Sequence, residues 1–237
     1  MQVRSLNRVP SSVFLLLVLG LAVQIFWQSL QPLPEAKAED LPVPPSSAYL
    51  QLASLGEPIT LAKALMLWLQ AFDYQSGVSI SFHQLDYQRT MLWLDQIIAL
   101  DPKGQYPFMS ASRLYGEVNI PEKKRVMLEY VYDRFLDDPQ RRWPWLAHAV
   151  IVARHQLNDL PLALRYARAV SQHATGSQVP EWARQLDWVI LEKMGELESA
   201  QMLIGGLLTS GRITSPKEIH FLNQRLLDLE KRLEQRE

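Results

Sequence analysis

Apolar residues recur at helical spacing between Asp86 and Pro102. They stand at positions 91, 94, 97 and 98, and Leu100 closes the run. This is the i, i+3, i+4, i+7 stripe of an amphipathic helix. The helix should end near Asp101, because a residue that precedes proline is pushed out of the helical region. The pattern returns at 126–139, where a second amphipathic stretch again ends on an acidic residue and a proline.

This recurrence has a regular step. Pro102 and Pro139 lie 37 residues apart, and a period of roughly 20–50 residues indicates stacked structural repeats. Pro121 stands where a proline fits the first turn of the second of these helices. Further helices are predicted at 59–72, 106–118, 179–193 and 200–208.

The stretch that follows Pro139 adds a more specific pattern. Its large and small apolar side chains stand in the order Trp143, Leu146, Ala147, Val150. Small residues recur in the next predicted helix at Ala163, Ala167 and Val170. Gly195 begins a segment that ends at the small residue Ala200, and glycine there permits the left-handed cap that ends many helices.

Together these motifs resemble those of tetratricopeptide repeat (TPR) proteins. The resemblance covers Leu61 to about Ser210. It implies an all-α fold, a right-handed superhelix of antiparallel helix hairpins (a TPR-like α-solenoid) with a concave inner face. Two features depart from the family pattern: a longer, β-like connector at 76–83, and an insertion of about one turn before Leu160.

The amino end carries an apolar run at 13–30, close to the roughly 20 residues that a membrane span needs. Arg4 and Arg8 precede it. Trp27 stands near its end, where an aromatic side chain would lie among the lipid headgroups. The arginines predict a cytoplasmic amino terminus and an extracytoplasmic body. An alternative is a cleaved signal peptide, since residues 36–38 offer a small-x-small cleavage pattern.

The predicted organisation therefore has five parts. In order, they are a cytoplasmic basic stub at 1–12, a transmembrane signal anchor at 13–30, a proline-rich linker at 31–47, a TPR-like helical domain at 48–212 and a C-terminal capping helix at 213–237. We expect a single-pass protein of the bacterial inner membrane with its C-terminal domain in the periplasm. The alternative is a cleaved, soluble periplasmic protein.

The last segment has an apolar stripe of its own. Leucines and one isoleucine alternate at spacings of three and four: Ile219, Leu222, Leu226, Leu229 and Leu233. Terminal repeats need a polar outer face, so we interpret this segment as a capping helix. The alternative is a homodimer through a C-terminal coiled coil, although sustained heptads should number at least three or four.

The composition of the chain argues against several classes of function. The 237 residues are 48% hydrophobic, enough for a sizeable core, and the chain has 24 basic and 25 acidic side chains for a net charge of −1. That balance argues against a nucleic-acid binder. Cysteine is absent, which excludes disulfides, thiolate nucleophiles and Cys-ligated metals.

No constellation of residues predicts catalysis. His148 and His155 would lie about 10.5 Å apart along one helix, too far to share a metal ion, and no phosphate loop, nucleophile elbow or zinc-protease motif occurs. We therefore expect no enzyme activity, no cofactor and no metal.

A dense aromatic and basic cluster spans 141–145, with two arginines and two tryptophans. Trp143 occupies the core position of the family. The resemblance places Arg141, His148, Trp182 and Gln185 on the concave surface, as a protein-binding groove. We therefore expect a membrane-tethered adaptor that assembles or maintains a cell-envelope complex with protein partners as yet unidentified. The alternative is a non-catalytic accessory subunit of an envelope enzyme such as a polysaccharide synthase.

Overall fold

A computed structural model describes residues 10–31, 39–75, 78–211 and 213–235. Most of the predicted basic stub, including Arg4 and Arg8, lies outside the described residues. The cleavage pattern at 36–38 lies outside them as well. The predicted linker at 31–47, the connector at 76–83, the helical domain and the C-terminal segment are described except for residues 32–38, 76–77, 212 and 236–237.

The described residues fold almost entirely into helices, as predicted. The helices are α1 Ser11–Leu30, α2 Ser47–Ala53, α3 Pro58–Ala71, α4 Tyr87–Leu100, α5 Tyr106–Arg113, α6 Pro121–Asp137, α7 Pro139–His155, α8 Leu160–His173, α9 Glu181–Arg184, α10 Leu186–Met194, α11 Leu197–Thr209 and α12 Pro216–Glu234. Two-residue strands, β1 Tyr74–Gln75 and β2 Val78–Ser79, pair in a small sheet. Single 3₁₀ turns lie at Phe82–Gln84 and Tyr115–Glu117.

The chain divides into two compact units. One comprises residues 1–38 with 75–79, and the other comprises 39–74 with 80–237. In the first unit, α1 has no buried residue and is long and apolar enough to cross a membrane. An apolar helix at the amino end is either a membrane anchor or a signal sequence.

Prolines and short polar side chains mark where the helices of the second unit begin. Pro58, Pro121, Pro139 and Pro216 each occupy a first turn, where a missing N–H costs nothing and the fixed φ suits the helix. Other helices have side-chain caps, which are Ser46 for α2, Asp86 for α4 and Asp159 for α8. The carboxylate of Asp159 accepts from the backbone N–H of Leu162 at 2.9 Å. That hydrogen bond is the main cause that holds the pKa of Asp159 below its usual value.

Helices that follow one another in the chain pack together from α5 to α12, with α8 packing directly on α10, and α3 packs on α4. The core between them is built on large side chains with almost no exposed surface, among them Tyr115, Tyr166, Phe108 and Phe135. Alanines fill the positions where helices approach most closely: Ala149 and Ala153 on α7, and Ala163 and Ala167 on α8, are fully buried. The predicted all-α core is thus confirmed.

Three boundaries differ from the sequence predictions. The helix predicted at 179–193 is broken at Gln185, which has φ −104° and ψ 5°. The helix predicted at 106–118 ends at Arg113 and continues as a 3₁₀ turn. The linker was predicted to reach residue 47, but the chain is already attached to α4 at Leu41 and Pro42. The carbonyls of these two residues accept hydrogen bonds from Arg89 and Trp93, both at 2.7 Å.

The C-terminal helix packs on the rest of the second unit through its apolar stripe. Leu222 and Leu229 are completely buried against the core, and Ile219, Leu226 and Leu233 pack around them. The apolar stripe that a coiled-coil dimer would use is therefore already covered within the chain. The outward side of α12 carries charged residues together with two exposed apolar side chains, Phe221 and Leu227.

An ion-pair cluster fastens α12 to α10. The Glu192 carboxylate, whose side chain is 9% exposed, lies 2.6 Å from both Arg225 Nη2 and Arg232 Nη1. Burial alone would raise the pKa of Glu192, but hydrogen bonds and charge from the two arginines outweigh it and the pKa is lowered. A lowered pKa means that this stabilisation is present at neutral pH and is lost as the pH falls through the folded-state pKa.

We expect Glu192→Gln to lower the free energy of unfolding by about 1 kcal/mol at pH 7, because it removes the charge that both arginines meet. The difference from wild type should shrink as the pH falls below the ordinary pKa of a glutamate, where the wild-type side chain loses its charge as well. Thermal unfolding followed by circular dichroism from pH 7 to pH 3 measures both effects. A difference that is independent of pH would contradict the ion-pair account.

Candidate interaction surface on the first helices

Hydrogen bonds join helices that are two apart in the chain. Between α3 and α5, the Tyr106 hydroxyl donates to Gln70 Oε1 at 2.6 Å, and Gln70 Nε2 donates to Ser110 at 3.2 Å. Between α5 and α7, Trp145 Nε1 donates to Gln105 Oε1 at 2.9 Å, just ahead of α5. We call α3, α5, α7 and α9 the first-helix set.

The helices α4, α6 and α8 show the same arrangement. Between α4 and α6, the Tyr130 hydroxyl donates to Asp95 at 2.9 Å, and Arg134 Nε lies 2.9 Å from the same carboxylate. Between α6 and α8, the Tyr166 hydroxyl donates to Glu129 at 2.9 Å. These helices, α4, α6 and α8, form the second-helix set. Alternate helices are thus bonded to one another, with the core between the two sets.

The helix α7 presents one polar stripe to solvent. Its exposed or partly exposed side chains recur at helical spacing: Arg141, Pro144, His148, Ile151 and His155. Arg141 is exposed and pairs with Asp138, which precedes the helix, at 3.4 Å. His148 Nε2 lies 2.8 Å from Glu117 Oε1. Both residues thus lie on the solvent-facing side of α7.

Trp182 is the most exposed aromatic side chain near this stripe. It is 55% exposed, and its ring meets the edge of Trp143 on α7, with ring centroids 5.7 Å apart. Trp143 itself packs partly against the core. An exposed indole that rests on a second, fixed indole is a rigid apolar feature on an otherwise polar surface.

The loop between α8 and α9, which leads to Trp182, is held by Gln140. Its amide donates to the His173 carbonyl at 2.8 Å, and its Oε1 accepts from the Gly176 N–H at 2.7 Å. A Cβ at Gly176 would lie 2.5 Å from that oxygen, so glycine permits this approach. The loop is therefore fixed to the start of α7.

A proline inside α7 contributes to the same attachment. Pro144 has no N–H, so the carbonyl of Gln140 lacks its usual partner one turn later. Gln178 Nε2 donates to that carbonyl instead, at 3.3 Å. The break in the backbone ladder thus provides an acceptor for the loop that positions Trp182.

Two further residues named in the sequence analysis have structural roles: Gln185 of the predicted groove and Arg142 of the 141–145 cluster. Gln185 is only 5% exposed, and its amide donates to Glu218 on α12 at 2.6 Å. It therefore does not face an open groove as predicted. Arg142 is buried over the Phe108 ring, 4.2 Å from its centroid, and donates to the Arg134 carbonyl and to Asp137. Of the two adjacent arginines, only Arg141 faces solvent.

We call the fully and partly exposed residues of this region the α7–α9 surface: Arg141, Trp143, His148 and Trp182. Sequence reasoning had passed over Tyr106, which is exposed on α5 and bonded to α3. Its signal was its place at the start of a first helix, directly before a proline. In the same set, Trp145 is partly covered by its bond to Gln105.

One cavity in the second unit contains an unusual carboxyl group. It measures about 220 Å³ between α8, α10 and α11, and Ser171, Arg184 and Asp187 line it. Burial raises the pKa of Asp187, and a hydrogen bond from the Trp188 N–H at 2.9 Å partly opposes that shift. No group of three or more potential metal ligands occurs among the described residues. The carboxylate thus lies in the first turn of α10, beside this cavity.

No protein-family model, curated protein or solved structure matches this chain. The interpretation of the α7–α9 surface therefore depends on its own geometry.

Proposed function

We propose that this protein is a membrane-tethered, extracytoplasmic adaptor that binds a protein partner through the α7–α9 surface and helps to assemble or maintain a cell-envelope complex. The observation that carries the proposal is the exposed Trp182, fixed on Trp143 beside the helix that bears Arg141. Tryptophan and arginine are the residues most enriched among interface hot spots. A fixed indole also loses little conformational entropy when a partner covers it.

We further propose that the second unit is a TPR-like solenoid, with helices α3 to α11 forming consecutive hairpins and α12 closing the stack. The bonding of alternate helices supports this arrangement, since stacked repeats place equivalent helices side by side. The fully buried alanines at the α7–α8 contact also support it. In such a stack the first-helix set lines the concave face, which agrees with the position of Arg141, His148 and Trp182.

The tether in this proposal is α1, retained as a signal anchor. The arginines that precede it favour a cytoplasmic amino terminus and place the helical unit in the periplasm. The uncharged length of α1 supports membrane insertion.

Site-specific photocrosslinking in intact cells of the source organism tests the adaptor. A photoreactive amino acid at position 182 should capture one defined protein, whereas the same group at Leu136 should not. Leu136 is a matched control because it is 43% exposed but lies on α6, in the second-helix set. Equal capture at both positions, or none at position 182, would contradict the proposed surface. Capture of a synthase subunit would select the accessory role over assembly.

A further inference from the structure

The turn between α2 and α3 presents large apolar side chains to solvent. Leu52 is 76% exposed and Leu55 is 91% exposed, and Tyr49 and Ile59 beside them are at least half exposed. We call these four residues the α2–α3 tip. Soluble domains rarely expose a contiguous apolar patch without a partner for it.

The backbone holds Leu55 outward. Leu55 has φ +50° and Gly56 has φ +90°, so two consecutive residues lie in the left-handed region. Glycine adopts that region readily, whereas leucine rarely does. The turn is closed by hydrogen bonds from the Leu55 N–H to the Leu52 carbonyl at 3.2 Å and from the Glu57 N–H to the Ser54 carbonyl at 2.8 Å. Strained residues of this kind often mark functional positions.

The whole segment is nearly uncharged. Between residues 47 and 72, Glu57 and Lys63 are the charged side chains. The helices α2 and α3 are together apolar enough for a membrane span, but they are bent by 109°. On its inner side, α3 has three buried residues, Ala62, Met66 and Leu69. Since α3 packs on α4, the segment suits contact with a membrane surface better than a crossing.

Few residues separate α1 from Leu41 in the second unit. Leu41 and Pro42 are fixed to α4 by hydrogen bonds from Arg89 and Trp93. Between the end of α1 and Leu41 the chain has too few residues to span more than roughly 35 Å, even fully extended. The helix α2 begins six residues after Leu41. A surface tethered this closely to a bilayer meets lipid at high effective concentration.

We propose that the α2–α3 tip inserts into the lipid surface of the membrane that holds α1. Apolar side chains beside a tyrosine are typical of segments that lie in the headgroup region, buried roughly 5–10 Å deep. The inference rests on the proposed membrane tether. It adds a second contact, which fixes the orientation of the helical unit on the membrane and limits which faces are open to a partner.

The absence of cysteine allows single labelling sites in the full-length chain. Leu55→Cys, Met202→Cys and Leu21→Cys would each carry an environment-sensitive fluorophore, in vesicles of phosphatidylethanolamine and phosphatidylglycerol made with and without nitroxide-labelled lipid. Met202, on α11, is 77% exposed and is the aqueous control. Leu21, in α1, reports on the tether. We expect nitroxide lipid to reduce emission from position 55 about twofold or more, and emission from position 202 very little.

The outcomes separate the two proposals. Quenching at position 21 but not at position 55 would overturn the tip insertion and leave the tether in place, whereas quenching at neither would overturn both. Quenching at position 55 alone would reject the tether and would overturn the proposal as stated, because the tip would then meet lipid without α1 in the membrane. In the Leu55→Cys protein, Tyr49→Glu with Leu52→Glu should abolish quenching, and quenching that survives would overturn the proposal by assigning the effect to the fluorophore. An unquenched label at position 55, together with disulfide-linked dimers when the unlabelled Leu55→Cys protein is treated with a mild oxidant, would assign the tip to a second copy and overturn lipid contact.

Discussion

We expect Ala200→Trp to destabilise the helical unit by about 1–3 kcal/mol or more, because the indole would overpack a close helix contact. Ala200 is completely buried in α11, within the cluster that also holds Ile204 and Trp188. The helix α11 packs against both α10 and α12. Relief by outward movement of α11 would therefore disturb a second contact. Thermal and denaturant unfolding of the purified protein in detergent measure the loss.

The matched control is Glu198→Ala, two residues earlier on the same helix. Glu198 is exposed, so its removal should change the free energy of unfolding by less than about 0.5 kcal/mol. Similar melting shifts for both variants would contradict the packing of α11.

Helix ends with a local chemical cause could be predicted from the sequence. The residue before Pro102 ends α4, and Pro121 begins α6, because proline restricts its own backbone and that of its neighbour. Gly195 takes φ +83° at the end of α10, as expected of a glycine that closes a helix. In each case the deciding interaction lies within a few residues of the signal.

Features decided by distant residues could not be predicted. The break at Gln185 has no glycine or proline to announce it, and the glutamine is buried by its bond to Glu218, 33 residues later. The neighbours Arg141 and Arg142 have similar sequence surroundings, yet Arg142 is buried over Phe108 and Arg141 is exposed. Which of two adjacent side chains faces the core depends on helices that meet only after folding.

The candidate surface was predicted in part for the same reason. Helical spacing alone places Arg141 and His148 on one side of α7, and the structure agrees. The exposure of Trp182 depends on a loop that Gln140 holds through the carbonyl left unpaired by Pro144. No pattern of apolar and polar residues encodes that attachment. The attachment consists of hydrogen bonds between residues that are more than 30 positions apart in the chain.

We expect Arg141→Ala combined with Trp182→Ala to weaken binding of the protein captured at position 182 by about 2 kcal/mol or more, roughly thirtyfold in affinity. The physical reason is the loss of an exposed indole and of an adjacent guanidinium that pairs only across the helix start, with Asp138. Neither side chain is core, so the melting temperature should hardly change. Titration of the purified partner and thermal unfolding give the two quantities.

Gln185→Ala provides the opposite control. Its amide is buried against Glu218, so truncation should lower the melting temperature and leave partner affinity unchanged at temperatures where the protein is folded. Loss of the fold on Trp182→Ala would show that the tryptophan acts through Trp143 as part of the core. Full affinity in a folded double variant would instead exclude Arg141 and Trp182 as the residues that bind the partner.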